Sequence, residues 1–120
     1  MPKILIVDDD VIITNLMQLL VSMEGHQPTI VNDSLKAVET AHAVNPDLIT
    51  LDLMMPHLTG FELCALLRED PKFAQTPIVI VSAKDDAESK DRSRQVGAND
   101  YITKPFHPDE LIGKIKSLTT

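Results

Sequence analysis

The chain is poor in aromatic residues, which make up 3% of its 120 residues, and it has no tryptophan. Its core therefore has to be aliphatic. A single cysteine, Cys64, excludes a disulfide within the chain, and its apolar helical surroundings predict a small core residue. No apolar run approaches the roughly 20 residues that a membrane-spanning helix needs, and the first residues lack the apolar stretch of a signal peptide. We therefore expect a cytoplasmic protein without membrane contact.

Positive charge is also scarce. Eleven Lys and Arg stand against 18 Asp and Glu, which gives a net charge of −7. That balance argues against direct binding of a nucleic-acid backbone. The length suits one domain, residues 1–120, and no repeat, linker or low-complexity tract divides it.

Short apolar runs alternate with segments of helical periodicity along the whole chain. Five runs predict buried strands, at residues 4–7, 28–31, from 48 onward, 77–81 and 99–103. Five segments predict helices, at residues 11–23, 35–44, 61–67, 85–95 and 108–118. This alternation predicts an α/β fold, a doubly wound parallel sheet of five strands with five helices.

Two of these helices have features that bear on function. The first begins after three aspartates, so Asp9 or Asp10 is its expected N-cap. Its apolar residues at helical spacing are Ile12, Leu16, Leu19, Leu20 and Met23. The fourth helix is very polar, and few apolar residues are available to anchor it to a core.

Chemically active side chains follow four of the predicted strands. They are Asp8 and Asp9, Asp52, Ser82 and Lys104. Because ligands of parallel α/β sheets bind beyond the carboxyl ends of the strands, we expect these groups to converge there. Asp52 ends an otherwise apolar run, where an unpaired buried carboxylate is costly. Either it points into solvent, or other groups in the fold need it.

The convergent set suits a phosphoryl group. Three neighbouring carboxylates repel one another unless a cation joins them, and Mg²⁺ (or Mn²⁺) is the hard cation that carboxylates bind. An ammonium and a hydroxyl would neutralise the oxygens of a phosphoryl group on a carboxylate nucleophile. Taken singly, each residue has an ordinary explanation as a helix cap, a loop hydroxyl or a solvated lysine. Their joint placement favours the phosphate site.

Four segments, residues 4–10, 47–60, 79–84 and 97–106, resemble the receiver domain of two-component response regulators in order and spacing. The resemblance covers essentially the whole chain and implies the strand order 2-1-3-4-5. It also implies a signalling switch that catalyses its own phosphorylation and dephosphorylation, rather than an enzyme acting on other substrates. The expected partner is a sensor histidine kinase or a phosphotransfer protein.

The resemblance assigns roles to the residues at the strand ends. Asp52 would accept the phosphoryl group, and Asp9 and Asp52 would bind Mg²⁺ together with the backbone carbonyl of Met54. Asp8 would act mainly through water. Lys104 would pair with the acyl-phosphate, and its peptide bond to the following proline is expected to be cis.

The remaining implied roles concern switching and lifetime. Ser82 would be the switch hydroxyl, and Tyr101 the aromatic residue that turns inward when Ser82 engages the phosphate. The signal would leave through the face built from the fourth helix, the fifth strand and the fifth helix. Met54 and Lys84 hold the two positions that tune hydrolysis, and the apolar Met54 implies slow dephosphorylation.

Residues 97–106 are most similar to receivers of winged-helix transcription regulators, which dimerise on this same face through charge pairs. The candidate pairs here are Lys90 with Glu110 and Asp100 with Lys114. Asn99 and Ser117 stand where that subfamily has another charged pair. The alternative is that these surface charges are solvated.

Three other interpretations stay open at this stage. A haloacid-dehalogenase-type phosphatase would need a second aspartate at position 54, which is Met54. A flavodoxin-like flavin protein would want hydroxyls after the first strand, where the aspartates would repel a phosphate. An interaction module that no longer accepts a phosphoryl group would keep the fold alone.

Overall fold

The computed structural model describes residues 1–120 and contains five strands and five α-helices. The strands are β1 (Lys3–Val7), β2 (Gln27–Val31), β3 (Leu48–Leu51), β4 (Ile78–Ser82) and β5 (Asp100–Thr103). The helices are α1 (Val11–Met23), α2 (Ala37–Val44), α3 (Gly60–Glu69), α4 (Ala87–Gln95) and α5 (Pro108–Thr119). All strands pair in parallel in the order β2-β1-β3-β4-β5. The predicted fold class is confirmed, and so is the strand order that the resemblance implies.

Two apolar clusters cover the two faces of the sheet. Successive strand residues point to opposite faces, so Ile4 belongs to one cluster and Leu5 to the other. Helices α1 and α5 contribute to the cluster of Ile4, and α2 and α3 to that of Leu5. Cys64 is fully buried in the second cluster, as predicted. None of the helices is both long and apolar enough to cross a membrane.

Helix starts follow the capping residues. Asp10, rather than Asp9, caps α1 and accepts hydrogen bonds from two backbone amides of its first turn. Thr59 and Glu62 form a capping box at the start of α3. The second helix is shorter than predicted, because residues 34–36 form a separate 3₁₀ turn and α2 begins at Ala37.

The side of α1 that faces the core differs from its most obvious apolar stripe. Its buried residues are Thr14, Met17 and Val21. Four members of the predicted stripe are exposed, namely Ile12, Leu16, Leu19 and Met23. The periodicity therefore predicts the helix but not the side that it buries.

Helix α4 has no buried apolar side chain. Its buried residues are Ser89 and Ser93. The Ser89 hydroxyl donates to the carboxylate of Asp86, the N-cap, and the Ser93 hydroxyl donates to the Ser89 carbonyl. The predicted scarcity of apolar anchors in this helix is confirmed.

Candidate functional site

The aspartates meet because of the register between two central strands. Val7 of β1 pairs with Leu51 of β3, so the residues that follow, Asp8 and Asp52, lie side by side at the carboxyl edge. Ligand oxygens of Asp8, Asp9 and Asp52 all lie within 4.8 Å of one another. Asp8 is buried, Asp52 is only 6% exposed and Asp9 is exposed. The structure thus brings together the three carboxylates that the sequence places at strand ends.

Lys104 reaches the same cluster from the end of β5. Its ammonium lies 2.6 Å from Oδ2 of Asp8 and 3.6 Å from Oδ2 of Asp52. Its backbone amide donates to the Ser82 carbonyl, which extends the pairing of β4 and β5 by one step. The peptide bond between Lys104 and Pro105 is cis, as the resemblance implies.

Burial and charge act together on the central carboxylate. Burial is the main cause that raises the pKa of Asp52 to about 6, and the neighbouring Asp8 charge raises it further. Lys104 and the backbone amide of Met54 lower the same pKa without cancelling the first two effects. Burial and the Asp8 charge thus outweigh the effect of Lys104 on this pKa, and another cation near Asp52 would favour its charged form.

Two residues that the sequence analysis does not single out support the backbone at Asp8 and Asp52. Gly60 is the first residue of α3, and a Cβ at this position would collide with the backbone carbonyl oxygen of Asp52. Only glycine lets α3 start so close to the backbone of Asp52. Asn32 follows β2, and its side-chain amide donates to the Asp8 carbonyl at 2.8 Å. Its position directly after a strand was the only signal available for Asn32.

Ser82 and Tyr101 are joined through the backbone of one residue. Ser82 is fully buried at the end of β4, and its hydroxyl accepts a hydrogen bond from the Lys84 amide at 3.3 Å. The half-buried Tyr101 on β5 donates its hydroxyl to the Lys84 carbonyl at 2.6 Å. Burial raises the pKa of the Tyr101 hydroxyl. The two predicted switch residues therefore share Lys84 as a neighbour.

Three of the interface candidates have partners within the chain. The Lys114 ammonium lies 3.0 Å from both Asp100 carboxylate oxygens, and Lys90 pairs with Asp85 at 2.8 Å. Glu110 is exposed in the first turn of α5. Asp100 and Lys114, which the resemblance pairs between two molecules, thus pair with each other inside one molecule.

Asn99, where the similar subfamily carries a charge, has a structural role. Its side-chain oxygen accepts hydrogen bonds from Arg68 and from the Ile78 amide, each at 2.8 Å. It thus joins α3 to the starts of β4 and β5. Ser117 donates its hydroxyl to the Lys114 carbonyl in the same helix.

The strand order and the carboxylate cluster at the carboxyl edge define a doubly wound α/β module with an acidic site. The chain belongs to the response regulator receiver domain family, whose model matches residues 4–116. It is 37% identical over 118 residues to the DNA-binding dual master transcriptional regulator RpaA of Synechocystis sp., covering 98% of this chain and 49% of that protein. It is 38% identical to the alkaline phosphatase synthesis transcriptional regulatory protein PhoP of Bacillus subtilis, covering 97% of this chain and 48% of that one. The chain thus spans about half the length of these relatives.

Solved structures agree with this assignment. Chemotaxis protein CheY4 of Vibrio cholerae superimposes with a TM-score of 0.94 at 29% identity, covering 98% of each chain. The receiver domain of Francisella response regulator 1452 gives a TM-score of 0.91 at 36% identity, covering 99% of this chain and 97% of that one. The resemblance to receiver domains is therefore confirmed, and the phosphatase and flavodoxin interpretations are set aside.

Proposed function

We propose that Asp52 accepts a phosphoryl group from the phosphohistidine of a sensor histidine kinase or phosphotransfer protein. The observation that carries this proposal is the placement of Asp52, nearly buried, 3.6 Å from the Lys104 ammonium and beside two further carboxylates. A carboxylate oxygen of Asp52 would attack phosphorus while the bond from phosphorus to the imidazole nitrogen breaks. Lys104 would then pair with the new acyl-phosphate.

The donor set fits a divalent cation. Three carboxylates within 4.8 Å supply hard oxygen ligands. Burial first, and the Asp8 charge second, raise the pKa of Asp52 although Lys104 lowers it, so a bound cation would favour the charged form of Asp52. Asp9, Asp52 and the Met54 carbonyl would hold Mg²⁺ (or Mn²⁺), with Asp8 acting through water. When bound, the metal would supply positive charge for the phosphoryl oxygens. The chain's own residues would orient and stabilise that group.

The same geometry suits a switch. A phosphoryl group on Asp52 adds negative charge that favours movement of Ser82 and Lys104 toward it. Ser82 and Tyr101 both hydrogen-bond the backbone of Lys84. A displacement of Ser82 would therefore move Lys84 and change the hydrogen bond of the Tyr101 hydroxyl. The output would be a changed conformation of the surface that α4, β5 and α5 form. On this view the domain catalyses its own phosphorylation and slow dephosphorylation.

The α4-β5-α5 face is also where we propose that two phosphorylated copies associate. Lys114 and Asp100 would exchange their pairing within one molecule for the same pairing between two, and Lys90 would meet Glu110. Relatives that are named as DNA-binding regulators support an output of this kind. The acidic domain itself would not bind the nucleic acid.

The proposal is tested by treating the chain with acetyl phosphate and Mg²⁺ and measuring intact mass, with beryllofluoride as a non-hydrolysable probe. We expect one added phosphoryl group in the wild type, none in Asp52→Asn, and none without Mg²⁺. Asp109→Asn removes an exposed carboxylate of α5 and should react normally. Light scattering of the beryllofluoride complex tests dimerisation separately. An unmodified wild-type chain would contradict the proposal and favour an interaction module that no longer accepts phosphate.

A further inference from the structure

The loop that follows Asp52 makes few polar contacts with the rest of the chain. Within it, the Met54 amide lies 3.4 Å from an Asp52 carboxylate oxygen, and the Leu58 amide donates to the Pro56 carbonyl at 2.8 Å. Apart from Asp52 itself, one side chain from outside hydrogen-bonds residues 53–58. It is Ser34, whose hydroxyl donates to the Pro56 carbonyl at 2.8 Å. This hydrogen bond links the loop to an element that carries none of the carboxylates.

Ser34 is well placed to hold that carbonyl. It begins the 3₁₀ turn after β2 and is only 3% exposed. The Asp33 side chain caps the same turn by accepting the Leu35 amide at 3.0 Å, which orders the backbone around Ser34. A buried hydroxyl without a partner is costly, so the hydrogen bond restrains the turn and the loop together. The chain changes direction directly after Pro56, where His57 has a φ of 72°.

The segment after β2 also contacts the other half of the carboxylate cluster. Asn32, two residues before Ser34, donates its amide to the Asp8 carbonyl at 2.8 Å and to the Thr14 hydroxyl at 3.1 Å. Residues 32–34 therefore hydrogen-bond both backbone segments that carry the site. They contribute no group to the carboxylate cluster itself. Such an arrangement is typical of residues that orient ligands rather than bind them.

We propose that Ser34 is a positioning residue for phosphoryl transfer to Asp52. Its hydroxyl holds the Pro56 carbonyl, and this fixes the path of the loop and hence the position of the Met54 carbonyl relative to Asp8 and Asp9. The inference rests on the proposed function of Asp52 and of the metal site. Loss of the hydroxyl removes none of the proposed ligands, but it lets the distances between them vary.

The test compares wild type and Ser34→Ala in the 120-residue chain. Calorimetry measures the Mg²⁺ dissociation constant, and intact mass follows the rate of phosphorylation by acetyl phosphate at saturating Mg²⁺. We expect the dissociation constant in Ser34→Ala to rise by about three- to tenfold, the range of one buried neutral hydrogen bond. Ser34→Thr keeps the hydroxyl and should restore the affinity. If Ser34→Ala does not fold, Ser34→Cys keeps the size with a weak donor and replaces it.

A matched control separates positioning from general stability. Ser93→Ala removes a hydroxyl that is equally buried and donates to a backbone carbonyl at 2.8 Å, but on α4. Ser93→Ala should leave the Mg²⁺ affinity at the wild-type value, even if urea unfolding shows that it loses as much stability as Ser34→Ala. Equal losses of affinity in Ser34→Ala and Ser93→Ala, or wild-type affinity in Ser34→Ala, would overturn the inference alone. Failure of wild type to bind Mg²⁺ and to be phosphorylated would overturn the proposed function as well.

Discussion

Lys104 and Asp8 form an ion pair of 2.6 Å, whereas the nearest Asp52 oxygen lies 3.6 Å from the same ammonium. The lysine that we expect on the acyl-phosphate is thus held first by a carboxylate of the proposed metal site. Both groups are largely buried, so this pairing is weakly screened. Mg²⁺ at the proposed site would therefore compete with Lys104 for the charge of Asp8, and phosphorylation would give the ammonium a new partner.

Replacing Lys104 by methionine removes this competition. We expect Lys104→Met to bind Mg²⁺ more tightly by roughly 1 kcal/mol, about fivefold, because a nearby positive charge no longer repels the dication. Calorimetry at pH 8, where Asp52 is ionised, measures the effect. Lys116→Met removes an exposed lysine from α5 and controls for net charge. Weaker binding in Lys104→Met alone would show instead that the lysine supports the site.

The raised pKa of Asp52 predicts a pH-dependent stability. The pKa of Asp52 is about 6 in the folded chain, and the ordinary value of 3.8 stands for the unfolded chain. Between these two pH values the folded state therefore binds more protons than the unfolded state. Stability due to this group is present below pH 3.8 and lost as the pH rises through 6. Without metal, Asp52→Asn should raise the free energy of unfolding by about 2 kcal/mol at pH 7.5 and by much less near pH 4.

Urea unfolding of both proteins at the two pH values measures that difference. Asp109→Asn is the control, because it alters a carboxylate that is exposed to solvent. An advantage of Asp52→Asn that is as large at pH 4 as at pH 7.5 would contradict the assigned ionisation.

Arg68 makes four hydrogen bonds to the two segments that precede β4 and β5, at the edge opposite to the carboxylates. Its guanidinium donates to the carbonyls of Gly97 at 2.9 Å, Phe73 at 2.7 Å and Thr76 at 2.6 Å, and to the Asn99 side chain at 2.8 Å. Lysine lacks this planar fork of donors. We expect Arg68→Lys to lower the free energy of unfolding by about 2 to 4 kcal/mol, as measured with urea.

Arg94 provides the comparison for Arg68. It pairs with Asp91 on the exposed side of α4, where screening by water leaves an ion pair little net effect. Arg94→Lys should therefore unfold at nearly the wild-type urea concentration. Similar losses in Arg68→Lys and Arg94→Lys would mean that the four hydrogen bonds of Arg68 add little.

We expect Met54 to affect the lifetime of the phosphorylated state. Its side chain is 60% exposed next to Asp52 and offers no group that would orient a water molecule. We expect Met54→Asn to speed dephosphorylation by roughly three- to tenfold, the contribution of one added hydrogen bond. Decay of the phosphoprotein after removal of acetyl phosphate, followed by intact mass, measures the rate. Met54→Leu is the apolar control, and equal decay of all three proteins would contradict this role.

The sequence predicts the residues at the strand ends well, because one rule places them. Parallel strands bring their carboxyl ends to one edge, so Asp8, Asp52 and Lys104 had to meet once the strands were recognised. The supporting residues follow no such rule. Ser34 hydrogen-bonds Pro56, which is 22 residues away in the sequence, and Arg68 hydrogen-bonds Asn99, which is 31 residues away. Such contacts depend on how loops pack, which periodicity does not describe.

Helix α1 shows why its buried side could not be predicted. The segment is apolar on most sides, so more than one stripe has helical spacing. Thr14, Met17 and Val21 also recur at such a spacing, and this stripe packs on the sheet. The exposed apolar side chains are Ile12, Leu16, Leu19 and Met23. Hydrophobic content alone therefore selects the wrong side of this helix.

This assignment of the buried side predicts an asymmetry between two residues of α1 of similar character. Met17 is fully buried, so Met17→Ala should lower the free energy of unfolding by about 2 to 4 kcal/mol. Ile12 is 80% exposed, so Ile12→Ala removes apolar surface that already contacts water and should change it by less than about 0.5 kcal/mol. Urea unfolding of the two variants side by side makes the comparison. If Ile12→Ala cost as much as Met17→Ala, the helix would have to be rotated about its axis, and the stripe of Ile12 would face the sheet.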